Sequence, residues 1–279
     1  MSSDVGQHRL AVLGSPIAHS LSPVIHRAAY AVLGIDWTYE AVDITGAQLP
    51  DFIASLDSSW RGLSLTMPLK RDILDVLTHR DPLVDIVGAA NTVLLGEGDV
   101  RGFNTDVRGV IQSFADVGVS SLGFVHVLGA GATAASVLVA VAQLGARRIL
   151  VSARTPANAL ALVELGKRLG VEVMVRAWGV LDRSMIVPDA IVSTVPGGSH
   201  DVLFAEPIRT GSVLFDVAYD PWPSDLARSW SDVGGTVISG LDLLINQAVG
   251  QVRVFVGGDP ELPLENEADV VAAMRSGLA

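Results

Sequence analysis

The chain has 279 residues and a formal net charge of -11, with 49% hydrophobic and 18% charged residues. That length accommodates one large domain or two ordinary ones with substantial cores, and the negative charge argues against a nucleic-acid backbone or an anionic membrane surface as the main partner. The absence of cysteine excludes disulfides, thiolate metal sites and cysteine nucleophiles.

The opening segment MSSDVGQHRL carries no apolar signal core, and the longest hydrophobic stretches, such as SVLVAVAQLGA, are too short to span a bilayer. A soluble cytoplasmic protein is therefore expected. Short apolar runs alternate with helical patterns along the chain, which predicts α/β layers around mostly parallel sheets. In the first part of the chain, strands are expected near 9–14, 37–44, 62–66 and 91–95, and helices near 23–33, 47–56 and 69–77. The last of these strands is expected to turn through GEGD into VRGFNT as a hairpin.

Between the first strand and the first helix lies AHSLSPVIHRAAY, residues 18–30. Ser22 before Pro23 reads as an N-cap with proline at the first helical position. Ile25, Ala28, Ala29, Val32 and Leu33 fall on one helical face, and Gly34 stands where a C-cap belongs. Capping leaves Ser20 unexplained. A strand, a polar loop and a helix N-terminus together form an anion site, so Ser20 and Ser22 are also candidates to donate their hydroxyl hydrogens to a ligand carboxylate or phosphate.

The polar residues of GLSLTMPLK, GAANTV and GFNTD each end an apolar run, and open α/β sheets place ligands at the carboxyl ends of strands. Lys70 stands at a helix start, where a cation opposes the dipole; a function would account for it. Asp106, near the next helix start, is favoured by the dipole and reads equally well as an ordinary N-terminal carboxylate. Thr66 and Asn91 are either ligand contacts or satisfied turn residues. A lysine and an aspartate together can relay a proton to or from a hydroxyl as hydride leaves its carbon.

TDVRGVIQSFADVG reads as a connecting helix within a domain boundary near 106–122. A second series begins with FVHVLGAGATAASVLVAVAQLGARRILVSAR, residues 124–154. Here a glycine motif follows an apolar strand and opens an alanine-rich helix, the context that makes it a dinucleotide signature. Gly129 would form the tight turn, Gly131 would let the backbone approach a pyrophosphate, and Ala134 takes the third position. About 20 residues past the glycines, an NAD site places a carboxylate on the ribose hydroxyl; this chain has Ser152, Arg154 and Thr155 instead. Arg154 can fork two bonds to a 2'-phosphate, with Thr155 adding a hydroxyl, so NADP is expected. AIVSTVP, SVLFDVAYDP and GTVISG continue the series, and from GLDLLINQAVGQVRVFVGG onward the chain is helical, with an amphipathic segment able to pack on either domain. His8, His19, His26, His79, His126 and His200 are dispersed, so no metal site is expected.

Taken in order, GSPIAHSLSP, SLTMPLK, GAANTV, FNTD, GAGATA, SART, DVAYDP and GLDLLINQA resemble the motifs of the shikimate dehydrogenase family over essentially the whole chain. The resemblance implies reversible, NADP-linked interconversion of shikimate and 3-dehydroshikimate, a step of aromatic amino acid (chorismate) biosynthesis. It implies a substrate-binding catalytic domain of residues 1–108 and 241–279, an α/β unit with a mostly parallel sheet onto which the C-terminal helices return, and a Rossmann NADP-binding domain of residues 109–240. It also implies that Lys70 and Asp106 form the catalytic pair, that Ser20 and Ser22 hold the substrate carboxylate, and that Thr66, Asn91 and Gln247 bond the ring hydroxyls. Tyr219 would line the substrate site. Gly129, Ala130, Gly131, Ala132, Arg154 and Thr155 would hold NADP, with Gly240 near the nicotinamide. The expected partner is a small molecule, with no nucleic acid or membrane, for a monomer or homodimer.

The chain departs from common family residues at Ser64 (asparagine in many members), where a smaller hydroxyl replaces a supporting amide, at Ala153 (asparagine) and Asn158 (often arginine), which leads us to expect a weaker NADP preference, and at Ala132 (commonly glycine), which is compatible with binding but is expected to shift the loop. Two other readings compete. An NAD-using quinate/shikimate dehydrogenase is opposed by the missing acid after the second nucleotide strand and by the paired serines. A non-catalytic ligand-binding paralogue is opposed by the presence of both Lys70 and Asp106.

Overall fold

The computed structural model describes residues 7–179, 186–195 and 202–278. These divide into two compact units, the first running to Thr105 and resuming at Leu244, the second spanning Asp106–Leu243.

The first unit begins β1 (Arg9–Gly14), α1 (Ser22–Leu33), β2 (Thr38–Asp43), α2 (Leu49–Ala54), β3 (Trp60–Leu65), α3 (Leu69–Asp72), β4 (His79–Arg80), α4 (Pro82–Val87), β5 (Thr92–Gly96) and β6 (Asp99–Phe103). Its strands form one sheet in the order β2-β1-β3-β5-β6-β4. β1 runs parallel to both neighbours, and β5 is antiparallel to β3 and β6. β1 is apolar from Leu10 onward because both faces of the sheet are covered. Leu10 and Val12 pack into one core and Ala11 and Leu13 into the other, as the alternation of a strand requires. The expected hairpin is present, with Gly98 at its turn holding φ +72°.

The sequence reading of the first helix needs two corrections. Leu21, not Ser22, is the N-cap residue of α1; its backbone is already right-handed helical, Ser22 is the first helical residue, and no side chain caps the helix. The buried face holds Ser22, Ile25, His26, Ala29 and Tyr30, while Val32 is exposed. Polar atoms on His26 and Tyr30 hid the true apolar stripe from a hydrophobicity count. The Gly34 C-cap is left-handed, φ +66°, as expected. The segment read as one helix over 69–77 is the single turn α3 followed by a 3-10 turn at Ile73–Val76, and that over 47–56 is a 3-10 turn at Gly46–Gln48 leading into α2.

The second unit contains α5 (Asp106–Asp116), β7 (Phe124–Leu128), α6 (Ala132–Gln143), β8 (Arg148–Ala153), α7 (Leu160–Leu169), β9 (Glu172–Ala177), β10 (Ala190–Ser193), α8 (Glu206–Gly211), β11 (Val213–Asp216), α9 (Asp225–Ser231) and β12 (Val237–Ser239). Its sheet is parallel among the described residues, in the order β9-β8-β7-β10-β11-β12. This is the doubly wound order of dinucleotide-binding sheets, whose strand order reverses beside the first strand, here β7. The α/β class expected from the sequence is thus present in both units.

α10 (Gly240–Gly257) begins in the last residues of the second unit, and its remainder, with α11 (Glu267–Ser276), belongs to the first. Ile245, Ala248, Val252 and Phe255 of α10 and Val270 and Met274 of α11 share one core with Ile25, Ala29 and Tyr30 of α1. Periodicity left open which core takes these helices; the structure assigns them to the first.

Candidate functional site

In the first unit the candidate residues gather where β1 and β3 end and β5 begins. Leu65 donates its N–H to the Asn91 carbonyl, Thr66 to Leu13, and Ser15 to Met67, at 2.8, 2.9 and 3.1 Å. These bonds stitch three loops into one surface. A Cβ on Gly14 would stand 2.5 Å from Thr66 Cγ2 and 2.9 Å from the Met67 carbonyl, so glycine is what lets Thr66 close against the end of β1. Lys70, half-buried in α3, accepts the Ala90 N–H at its carbonyl at 2.8 Å, which sets its backbone beside the residue preceding Asn91. The expectation that every motif sits at a carboxyl strand end holds for Thr66 and for the segment after β6. It fails for Asn91, which leads into β5; because β5 is antiparallel to β3, its start lies beside the end of β3.

Asn91 is buried and hydrogen-bonded to its neighbours. Its Oδ1 accepts from the Thr105 N–H at 2.9 Å and from the Thr92 hydroxyl at 2.8 Å, and its Nδ2 donates to Thr105 Oγ1 at 2.9 Å and to Gln247 Oε1 at 3.2 Å. Gln247 Nε2 in turn donates to the Leu244 carbonyl at 2.7 Å. The late residue Gln247 therefore does meet Asn91, 156 positions earlier. Asp106 follows Thr105 directly as the first residue of α5 and is buried.

Ser20 and Ser22 stand together before α1, the Ser22 N–H donating to Ser20 Oγ at 3.4 Å. Support for the helix start thus comes from Ser20, leaving the Ser22 hydroxyl out of any cap. Ser22 is buried, and its carbonyl accepts from His26 Nδ1 at 3.0 Å. Burial pulls the His26 imidazole down to about 4, against the opposing pull of the Ser22 carbonyl and of Gln251. His26 stacks on Tyr39, ring centroids 4.1 Å apart. Burial also raises the Tyr39 phenol above its ordinary range, offset in part by its bond to Ser64.

In the second unit, Gly129 follows β7 with φ +105°, and a Cβ there would lie 2.4 Å from Thr194 Oγ1. Gly131 precedes α6 with an extended backbone, open space where its Cβ would stand, and no side-chain bond capping the helix. Ala132 opens α6, and Ala134 is fully buried. A 12-residue helix whose start is left uncapped by side chains, reached through a glycine turn, suits a pyrophosphate. Arg154 and Thr155 are exposed just past β8, with no carboxylate at the strand end, which fits a ribose carrying a 2'-phosphate. Ala130 completes the loop. Gly240 packs against the backbone after β11: a Cβ there would meet the Val217 carbonyl at 2.1 Å, and its N–H donates to Ala218. The start of α10 is thereby held beside the segment that carries Tyr219. Burial, then the Asp220 carboxylate, raises the half-buried Tyr219 phenol.

Sequence reasoning missed Gln251, Tyr39, Thr105 and Thr194. Gln251 lies one helical turn past Gln247, a spacing that does put both on one face, and Thr194 follows the end of β10 within AIVSTVP. Among the described residues no group of three or more metal-ligating side chains is gathered, and no helix is long and apolar enough to cross a membrane; His200 lies outside the described residues.

Residues 12–93 match the family model of the shikimate dehydrogenase substrate binding domain. The chain is 30% identical over 269 residues to shikimate dehydrogenase (NADP(+)) of Methanothermobacter thermautotrophicus, covering 94% of this chain and 95% of that one. Its fold matches the crystal structure of Mycobacterium tuberculosis shikimate dehydrogenase with a TM-score of 0.81 at 36% identity, covering 96% of this chain and 99% of that one. It likewise matches the Thermus thermophilus shikimate 5-dehydrogenase in complex with NADP(H) and shikimate, with a TM-score of 0.82 at 30% identity, covering 97% and 100%.

Proposed function

Because the chain belongs to the shikimate dehydrogenase family, we propose that it interconverts shikimate and 3-dehydroshikimate with NADP. The observation that carries this reading is the buried junction of Asn91, Thr105 and Gln247, directly followed in the chain by Asp106 and flanked by the backbone of Lys70. Polar groups gathered at strand ends in this way suit a ring bearing several hydroxyls.

Ser20 and Ser22 donate their hydroxyls to the substrate carboxylate, while Thr66, Asn91 and Gln247 orient the ring hydroxyls and Tyr219 lines the substrate site. When bound, NADP+ would supply the hydride acceptor in the oxidative direction and NADPH the hydride donor in the reductive one. Lys70 Nζ and the Asp106 carboxylate handle the proton of the reacting hydroxyl, Lys70 stabilising the developing alkoxide by its charge. Gly129, Ala130, Gly131 and Ala132 hold the pyrophosphate, Arg154 and Thr155 the 2'-phosphate, and Gly240 stands near the nicotinamide. Residues 1–108 and 241–279 serve as the substrate domain and residues 109–240 as the cofactor domain, in a cytoplasmic monomer or homodimer.

The test is initial-rate formation of NAD(P)H from shikimate and from quinate, each with NADP and with NAD. Shikimate with NADP is expected to dominate, and Lys70→Ala and Asp106→Ala are each expected to lower turnover by roughly 10²–10⁴ with modest change in KM. Comparable rates with quinate or NAD move the chain to an NAD-using quinate/shikimate dehydrogenase. No turnover in any combination makes it a ligand-binding paralogue.

A further inference from the structure

Gln251 is 2% exposed, and past Gln247 the inward residues of α10 around it, Ala248, Val249, Val252 and Phe255, are apolar. Packing alone calls for no amide there, and a buried amide costs stability unless both of its ends are bonded. Both are. Nε2 donates to the Asn91 carbonyl at 3.1 Å, and Oε1 accepts from Ser64 Oγ at 2.9 Å. Ser64 Oγ accepts in turn from the Tyr39 hydroxyl at 2.6 Å, and Tyr39 carries the stacked His26 that holds the Ser22 carbonyl.

This chain of bonds has a direction. The Asn91 carbonyl can only accept, so it fixes which end of the Gln251 amide faces it; Oε1 is then left for Ser64, whose own acceptor place is taken by Tyr39. All of these groups are buried, so water does not replace a bond that is lost. The helix is held close on the same face. Gly250 sits where a Cβ would be 3.0 Å from Thr105 Cβ, and Gln247, one turn before Gln251, meets Asn91 Nδ2.

We propose that Gln251 is a positioning residue for substrate recognition: with Ser64 and Tyr39 behind it, it fixes Asn91 and the adjoining turn of α10 so that Asn91 and Gln247 present their amides to the ring hydroxyls. The inference rests on the dehydrogenase reading above and adds residues that do not themselves touch substrate. It assigns Gln251 to the binding of the hydroxylated ring and to neither cofactor binding nor proton transfer.

The experiment is steady-state kinetics on the full chain with shikimate and NADP, for wild type, Gln251→Met, Ser64→Ala, Gln247→Ala and the double variant Gln247→Ala/Gln251→Met. Gln251→Met is expected to raise the shikimate KM about tenfold, with the NADP KM unchanged and kcat altered less than about threefold. Ser64→Ala, which removes the bonds to Gln251 and from Tyr39 and keeps the helix side chain, shifts the shikimate KM in the same direction by about threefold, and it carries the test if Gln251→Met does not fold. In the Gln247→Ala background, Gln251→Met adds less than about twofold, because the two residues act on the same contacts. An unchanged shikimate KM, an equal rise in both KM values, or fully additive effects would overturn the positioning role. Absence of turnover in the wild type would overturn the dehydrogenase reading instead, so the two failures are told apart.

Discussion

His26 shows how a single buried ring ties stability to pH. Burial holds its imidazole at about 4 in the folded chain, against about 6.5 when unfolded. Between those values the unfolded state binds the extra proton, so the contribution of His26 to stability is complete above about pH 6.5 and is lost as pH falls toward 4, amounting to about 2 kcal/mol by pH 5. Urea unfolding of wild type and His26→Phe at about pH 7 and about pH 5 checks this: the wild type is expected to lose about 2 kcal/mol more on acidification than the variant. Equal losses would mean that His26 is not the group that titrates. The same residue marks a limit of the sequence. A histidine and a tyrosine on an apolar face read as polar, and Ser22 before proline reads as a cap, whereas the one-residue extension of the helix to Ser22, with Leu21 as N-cap, rests on a backbone angle that no residue type announces.

At the scale of elements, the glycine loop between β7 and α6 was legible because its two glycines have separate physical causes, and those causes yield opposite predictions. Gly129 needs its left-handed backbone, φ +105°, and the space beside Thr194, whose hydroxyl bonds the Leu128 carbonyl. Gly129→Ala is therefore expected to lower stability without cofactor by about 1–3 kcal/mol. Gly131 has φ -84° and open space around its missing Cβ. Gly131→Ala is expected to cost about 1 kcal/mol or less in the ligand-free protein, as a weaker N-cap, while weakening NADP binding about tenfold by crowding the pyrophosphate. Thermal melts without ligand, together with NADP titrations, separate the two; normal NADP affinity in Gly131→Ala would remove the close approach from the argument. The hairpin of β5 and β6 was legible for a similar reason, since Gly98 sits at the one turn position with positive φ. Thr194 was not, because its role is to fill the space behind a glycine more than sixty positions away.

At the scale of the whole molecule, α10 was the hard element. Its amphipathic pattern shows that one face is buried but not in which core, and Gln247 and Gln251, which bond Asn91 and Ser64 across the first unit, help specify the destination. The alternation of apolar runs and helical patterns, by contrast, was enough to give the α/β layering of both units, while β4 (HR) and β9 (EVMVRA), which carry no long apolar run, were not legible. The division of labour that follows is testable. Ser20 and Ser22 belong to the first unit, and Arg154 to the second. The double variant Ser20→Ala/Ser22→Ala is expected to weaken shikimate binding by about 10- to 100-fold, the cost of removing charge-assisted bonds to a carboxylate, with NADP affinity unchanged. Arg154→Ala is expected to weaken NADP binding about tenfold or more while leaving NAD and shikimate affinity where they were. Calorimetric titration of each ligand alone into each variant reads all of these affinities without turnover. If either variant loses both ligands together, one unit is not serving one ligand, and the assignment of Arg154 to the 2'-phosphate or of the serines to the carboxylate fails with it.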